Sequence, residues 1–365
     1  MRVLIGSYGD DIAAYTFDTT LKPSDKRVWT PAPSFLAVHP SLPIVYAVSE
    51  VDAGAVVAFR LAEDGITSLG GVPSGGQKPC HLVVTADGQY VVAANYDSGS
   101  VATFALRTDG SLQWRTDLAQ HTGRGPHPVR QTGPHCHHVS ADGDVLHVAD
   151  LGTDHIVHYG LTDDGRLKPL GASAGPAGHG PRHLVGHPSG VAFVADELSS
   201  TVSTYDKEFR FLGARPATTV APRGDNFPSE LLLSADGRLL YVANRGNNSI
   251  TTFAVEPSAL RAIDEVPTGG DWPRHMAIAG ETLLVANQRS HSVTALRLDA
   301  RTACLGAVTW LPRCRRRPAS SWPDAVIRRP RPRPWPEPPW RAGGRRPRVT
   351  CARRRRPTTP RPGRR

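Results

Sequence analysis

Short apolar runs, each bounded by Gly, Pro, Asp or Ser, follow one another along the first three hundred residues in a fixed rhythm. Val, Ala, Phe and Tyr dominate the runs, as strands buried on both faces require. The stretch GPRHLVGHPSGVAFVADELSSTVSTYD, from Gly180 to Asp206, shows the unit most clearly. A first strand ends at the tight turn Pro188-Ser189-Gly190, a second at the polar bend Asp196-Glu197-Leu198, and a third at Tyr205. The same grammar returns in copies that begin at Pro33, Pro79, Pro134, Pro181, Pro228 and Pro273, at intervals of 46, 55, 47, 47 and 45 residues. Between copies a fourth strand is expected, for instance over 212–220 and 260–266, often after an Asp-Gly turn such as Asp64-Gly65 or Asp164-Gly165.

Four strands about every 45 residues mark the blade of a β-propeller, in which radial repetition leaves only short edges. The N-terminal runs VLIGSY and IAAYTF match the second and third strands of the unit and lack a first. Six copies and this fragment predict an all-β, seven-bladed β-propeller. The blade begun by the N-terminal strands must be closed by a strand from the far end of the chain, near residue 318. The segment there, TWLPRCRRRPASSWPDAVIRRPRPRPWPEPPW, is rich in Arg and Pro, and proline lacks the N–H a central strand needs. One permissible set of GC-rich codons for Trp310 to Pro323 reads, one frame over, AAPVPSPACVVLA. That contains a first strand of the repeat's own type. The expectation is therefore a propeller domain over 1–309 and an Arg/Pro-rich tail over 310–365. The tail is expected to be disordered and out of frame, the closing strand having been lost to a frameshift.

The tail also changes how the charge is read. Residues 310–365 hold 19 of the 43 basic residues and two of the 33 acidic ones. The rest of the chain carries 24 basic and 31 acidic side chains, a net of −7 against +10 for the whole. The basic character belongs to the tail, which carries no nucleic-acid recognition motif, so a nucleic-acid partner is not expected. Five cysteines (Cys80, Cys136, Cys304, Cys314, Cys351) show no metal-binding spacing and suit a reducing compartment. The start MRVLIGSY lacks a signal-peptide core, and no apolar run reaches 18 residues. A cytoplasmic protein with no membrane, metal or cofactor requirement is expected. Nothing in the sequence specifies an oligomeric state.

Equivalent positions in successive blades share one height around the axis, so side chains at the starts of the first strands gather at one mouth. After the initial proline these are Ser34, Cys80, His135, Arg182, Ser229 and Arg274, then Phe35, His81, Cys136, His183, Glu230 and His275. His137 shares a face with His135 by strand alternation. The bend after the second strand supplies Tyr8, Glu50, Tyr96, Leu151, Glu197, Arg245 and Gln288, and the 55-residue interval adds a loop from His121 to Arg130. Arginine grips phosphate or carboxylate bidentately, and a glutamate or neutral histidine can take a proton from water. His81, His183 and His275 recur in several blades, which suits a structural part as well as a functional one. His135, His137, Arg182 and Arg274 break the repeat.

GPRHLVGHP with VADELSSTV, KPCHLVVTADGQYVVAANYDSGSV, GPHCHHVSADG with VADLGTD, and WPRHM together resemble the lactonase family of seven-bladed propellers, over roughly 1–307. That family includes propeller-type 6-phosphogluconolactonases and carboxymuconate-lactonising cycloisomerases. The resemblance implies catalysis by His135 or His137 with Glu197, and substrate binding by Arg182 and Arg274, with His81, His183 and His275 nearby. It implies a small-molecule lactone as partner, most simply 6-phosphogluconolactone opened to 6-phosphogluconate. Lactonisation of a carboxymuconate and a non-catalytic propeller that binds a protein are the alternatives. Two departures stand out: Asp196 where the family often has Asn, and the missing closing Pro-Cys-Val strand.

Overall fold

The computed structural model describes residues 1–222, 224–256, 259–299, 304–310 and 323–327. Among these there is no helix, and seven four-stranded antiparallel sheets stand side by side. Blades two to seven each run outward from one inner strand: Leu36–Val38, Pro79–Val84, Cys136–Asp142, Pro181–Gly186, Phe227–Leu233 and Pro273–Ala279. Blade one is composite. Arg2–Ser7, Asp11–Phe17 and Leu21–Trp29 form its outer three strands, and Pro323–Ile327 pairs with Arg2–Ser7 as its fourth.

That pairing corrects one expectation. The inner place is filled, with Ser7 opposite Pro323 and Val3 opposite Ile327. The objection from proline fails because the innermost strand of a blade is an edge strand, where a missing N–H breaks no ladder bond. Pro79, Pro181 and Pro273 open inner strands in the same way. Most of the tail expected at 310–365 lies outside the described residues.

The core lies between blades. In the strand Ile44–Ser49 every residue is buried: Tyr46 and Val48 pack on Leu82, Val91 and Phe104 of blade three, while Val45 and Ala47 pack with Leu4, Ile12 and Ala14 of blade one. A sheet covered on both faces needs continuous apolar runs, which is why the second strands read as they do. Polar ties reinforce the stacking. Tyr46 donates to Gly110 O (2.7 Å) and Tyr90 to Asp163 O (2.6 Å), each across a blade boundary.

Candidate active site

Four inner strands start with the same break in register, between Pro79 and His81, Cys136 and His138, Pro181 and His183, and Pro273 and His275. The extra residue is Cys80, His137, Arg182 or Arg274. A β-bulge leaves one residue outside the ladder and turns its side chain away from the alternation of its neighbours. The same backbone device therefore aims three of the candidate residues at the end of the axis.

The bulges also correct the alignment of blade four. The bend amides of Glu50, Tyr96, Glu197 and Gln288 donate to the carbonyls of Ala32, Lys78, Gly180 and Trp272, each the residue before an inner-strand proline (2.8–2.9 Å). In blade four Leu151 N donates to His135 O (2.9 Å). His135 thus matches Gly180, His137 matches Arg182, and His138 matches His183. Cys136 stands where the other blades have proline, so Pro134 is a false start. These clamps bring the bend residues over the mouth. At Gly180 the clamp needs φ +63°, and a Cβ there would strike Leu198.

Glu197 is the centre of the site. It is 4 % exposed and meets three guanidinium groups. Arg130 Nη2 donates to its Oε1 (2.6 Å), Arg245 Nη2 to its Oε2 (2.5 Å), and Arg182 Nε lies 3.0 Å from Oε2. Backbone carbonyls fix two of these arginines, Ser229 O for Arg182 (2.5 Å) and Phe227 O for Arg245 (3.1 Å). Burial alone would raise the Glu197 pKa, but Arg245, Arg182 and Arg130 overcome it and hold the carboxyl well below the usual carboxylate range. Burial and the neighbouring Arg245 and Arg274 pull Arg182 down to about 9, so it stays cationic at neutral pH. Arg274 stands across the site, donating to Tyr8 Oη (2.6 Å), which donates to Glu50 Oε1 (2.9 Å). Four guanidinium groups against the carboxylates of Glu197 and Glu50 leave the mouth with surplus positive charge.

Two imidazoles adjoin this cluster. His135 stacks on Tyr96 (centroids 4.5 Å apart), and its Nδ1 lies 3.0 Å from Tyr96 O. A carbonyl only accepts, so Nδ1 carries the proton and Nε2 is the basic nitrogen. His137 meets Tyr96 edge-on (5.5 Å) and His183 (5.3 Å). Burial first, then the Arg182 charge, holds its pKa well below 6.5, so the ring is neutral. Its Nδ1 is buried without a hydrogen-bond partner.

The remaining predicted residues lie one position further along the inner strands and do not touch Glu197. His81, His138 and His183 pack ring against ring (4.0, 4.6 and 5.4 Å), and Phe35 lies against His81 (4.1 Å). Glu230 joins the set, 3.4 Å from His183 and accepting from His275 Nδ1 at 2.6 Å. These side chains form a belt around the axis below the site. Arg245, Arg130, Tyr96 and His138 were not picked as site residues from the sequence. Arg245 had a signal, since it occupies the same bend position as Glu197. Arg130 had only the length of its loop.

His121, Cys136 and Asp150 are the only group among the described residues spaced closely enough to hold a metal ion. Their contacts identify an anchor. Asp150 accepts from His135 N (2.8 Å) and Gly152 N (3.0 Å) through Oδ1, and its Oδ2 lies 2.8 Å from His121 Nδ1. Asp196 has the same place in blade five, binding His179 Nδ1 (3.2 Å), Thr201 (2.9 Å) and Ser203 (2.5 Å). Asn95, Asn244 and Asn287 fill it in other blades. The departure at Asp196 is thus a second histidine-paired anchor beside Glu197.

The sequence profile of the family "Lactonase, 7-bladed beta-propeller" matches residues 2–312. The 6-phosphogluconolactonase of Bacillus subtilis is 34 % identical over 295 residues, covering 77 % of this chain and 83 % of its own. That of Formosa agariphila is 29 % identical over 333 residues, covering 83 % and 94 %. The solved structure of a periplasmic gluconolactonase from Pseudomonas aeruginosa superposes with a TM-score of 0.82 at 27 % identity, covering 89 % of this chain and 99 % of that one. Among the described residues no helix is long and apolar enough to cross a membrane.

Proposed function

Because the chain belongs to the lactonase family of seven-bladed β-propellers and is a lactone-hydrolysing enzyme, we propose that its substrate is 6-phosphogluconolactone, opened to 6-phosphogluconate in the cytoplasm. The observation that carries this reading is the surplus of guanidinium over carboxylate at one mouth. Such a surplus suits an anionic sugar derivative and has no use for a neutral one.

We assign the proton transfer to His137. Its neutral ring stands level with Arg182 and Arg274 and has no protein partner for Nδ1, whereas Glu197 is held too acidic by three arginines to accept a proton efficiently. Water adds to the lactone carbonyl as His137 takes its proton, and Arg182 stabilises the oxyanion that forms. Collapse of the oxyanion breaks the bond from the carbonyl carbon to the ring oxygen. That oxygen takes the proton back from His137 and leaves as a hydroxyl, and the new carboxylic acid ionises to the medium. Glu197 keeps Arg130, Arg182 and Arg245 converged. His135 guides the water through Nε2.

Acid release from 6-phosphogluconolactone, glucono-1,5-lactone and a carboxymuconate tests the reading. Hydrolysis of the first is expected, with His137→Gln and Arg182→Ala each lowering kcat by roughly 100-fold or more. Absence of hydrolysis with active lactonisation of the carboxymuconate would replace the proposed substrate. Unaltered turnover in both variants would remove the residue assignments.

A further inference from the structure

We propose that Arg130 is the residue by which this enzyme tells a phosphorylated sugar lactone from an unphosphorylated one. The proposal rests on the lactone reading above and adds the group that reads the phosphate.

Arg130 differs from the other arginines on Glu197 in origin and in freedom. Arg182 and Arg245 belong to the blades and are nearly fully buried, with side-chain exposures of 2 % and 6 % against 35 % for Arg130. Each of those two also spends a guanidinium N–H on a backbone carbonyl. Arg130 uses only Nη2, toward Tyr96 Oη (3.1 Å) and Glu197. Its Nε and Nη1 make no hydrogen bond among the described residues, so the N–H donors of both nitrogens remain for a ligand. A phosphate oxygen accepts such charge-assisted donors, and a fixed positive charge at 35 % exposure is open to it.

The loop that carries it is not repeated in any other blade, yet it is firmly held. Gln131, fully buried, accepts from His127 N (3.0 Å) and donates to Leu151 O (2.8 Å) and Asp154 Oδ1 (2.7 Å). Asp154 in turn accepts from Gly178 N and Gly180 N (2.7 Å each), tying the loop to the entry of the strand that bears Arg182. His127 Nδ1 accepts from Arg130 N (3.1 Å). Arg130 is therefore a rigidly placed, partly exposed cation at the entrance. Glu197 keeps two deeper arginines if Arg130 turns toward a ligand.

Wild-type, Arg130→Gln and Arg130→Lys enzymes are compared on 6-phosphogluconolactone and glucono-1,5-lactone. Wild type is expected to favour the phosphorylated lactone. Arg130→Gln should lower the ratio of the two kcat/KM values by roughly 10- to 100-fold, mainly through the KM of the phosphorylated substrate. Arg130→Lys should recover part of the ratio, keeping the charge and losing the separate guanidinium donors. Equal losses on both substrates overturn the proposal, because that is what a support for Glu197 alone would give. Calorimetric titration with the products, 6-phosphogluconate and gluconate, tests the same point without turnover. Equal relative affinities in wild type and Arg130→Gln also overturn it. A wild type inactive on both lactones defeats the substrate reading instead, and the product titrations then decide the part played by Arg130 on their own.

Discussion

At the scale of the residue, the site is organised by a charge imbalance around one carboxylate. Glu197 compensates three guanidinium groups, two of them almost without water. Removing one partner of a buried ionic cluster costs more than the cluster is worth, since the remaining charges stay buried and unpaired. Glu197→Gln is therefore expected to lower unfolding free energy by about 3–5 kcal/mol in urea titration. The double variant Glu197→Gln/Arg130→Gln, which removes a cation as well, should recover part of the loss. A single variant as stable as wild type would show that solvent already compensates the arginines. Arg182 and Arg274 were legible in the sequence because each breaks a repeat whose equivalents include Ser and Cys, His137 by strand alternation with His135, and Glu197 by its bend position and the family resemblance. Arg130 was not, because a loop outside the repeat has no equivalent position to compare.

At the scale of the element, a bulge at the head of the inner strand converts a repeated sequence into a ring of inward-aimed side chains. Strand alternation put His135 and His137 on one face, and the bulge at His137 breaks that rule. The two-residue offset in blade four escaped notice because Cys136 replaces the proline that marks the other strands. Beneath the bulge lies the Asn or Asp anchor. In blade five the anchor Asp196 raises the pKa of His179, chiefly by their hydrogen bond, above the 6.5 of a free imidazole. A raised histidine pKa gives stability that is complete below pH 6.5 and fades as pH climbs through the folded-state value. Asp196→Asn, the residue other blades use, should therefore cost more melting temperature at pH 5.5 than at pH 8. A cost equal at both pH values would mean that the pair is held by geometry without charge.

At the scale of the whole molecule, the seven sheets close a ring whose axis is lined by imidazoles. The number of blades was legible from the period alone, and the composite blade from the truncated first copy. The closing strand was misread by treating an edge strand as a central one. Of the belt, His81 and His183 were seen as recurring histidine and His138 was not, and the belt's consequence for stability needs the burial that only the assembled ring provides. Burial is the leading cause that lowers all three pKa values, to about 4 for His138, against 6.5 in the unfolded chain. As pH falls below 6.5 the unfolded chain takes up protons that the native belt refuses. The stability present above pH 6.5 is thus lost progressively toward pH 4. For His138 the span of about 2.5 pH units is worth ~3 kcal/mol at most. Phe35 holds the same belt position in blade two, so His138→Phe substitutes a ring the fold already accepts there. In urea titrations at pH 7 and pH 4.5 the variant should lose markedly less stability on acidification than wild type does. If the two proteins lose the same amount, His138 carries none of the acid sensitivity above pH 4.5, since Glu197 and Glu230, with depressed pKa values, give up their own stability only below about pH 4.5.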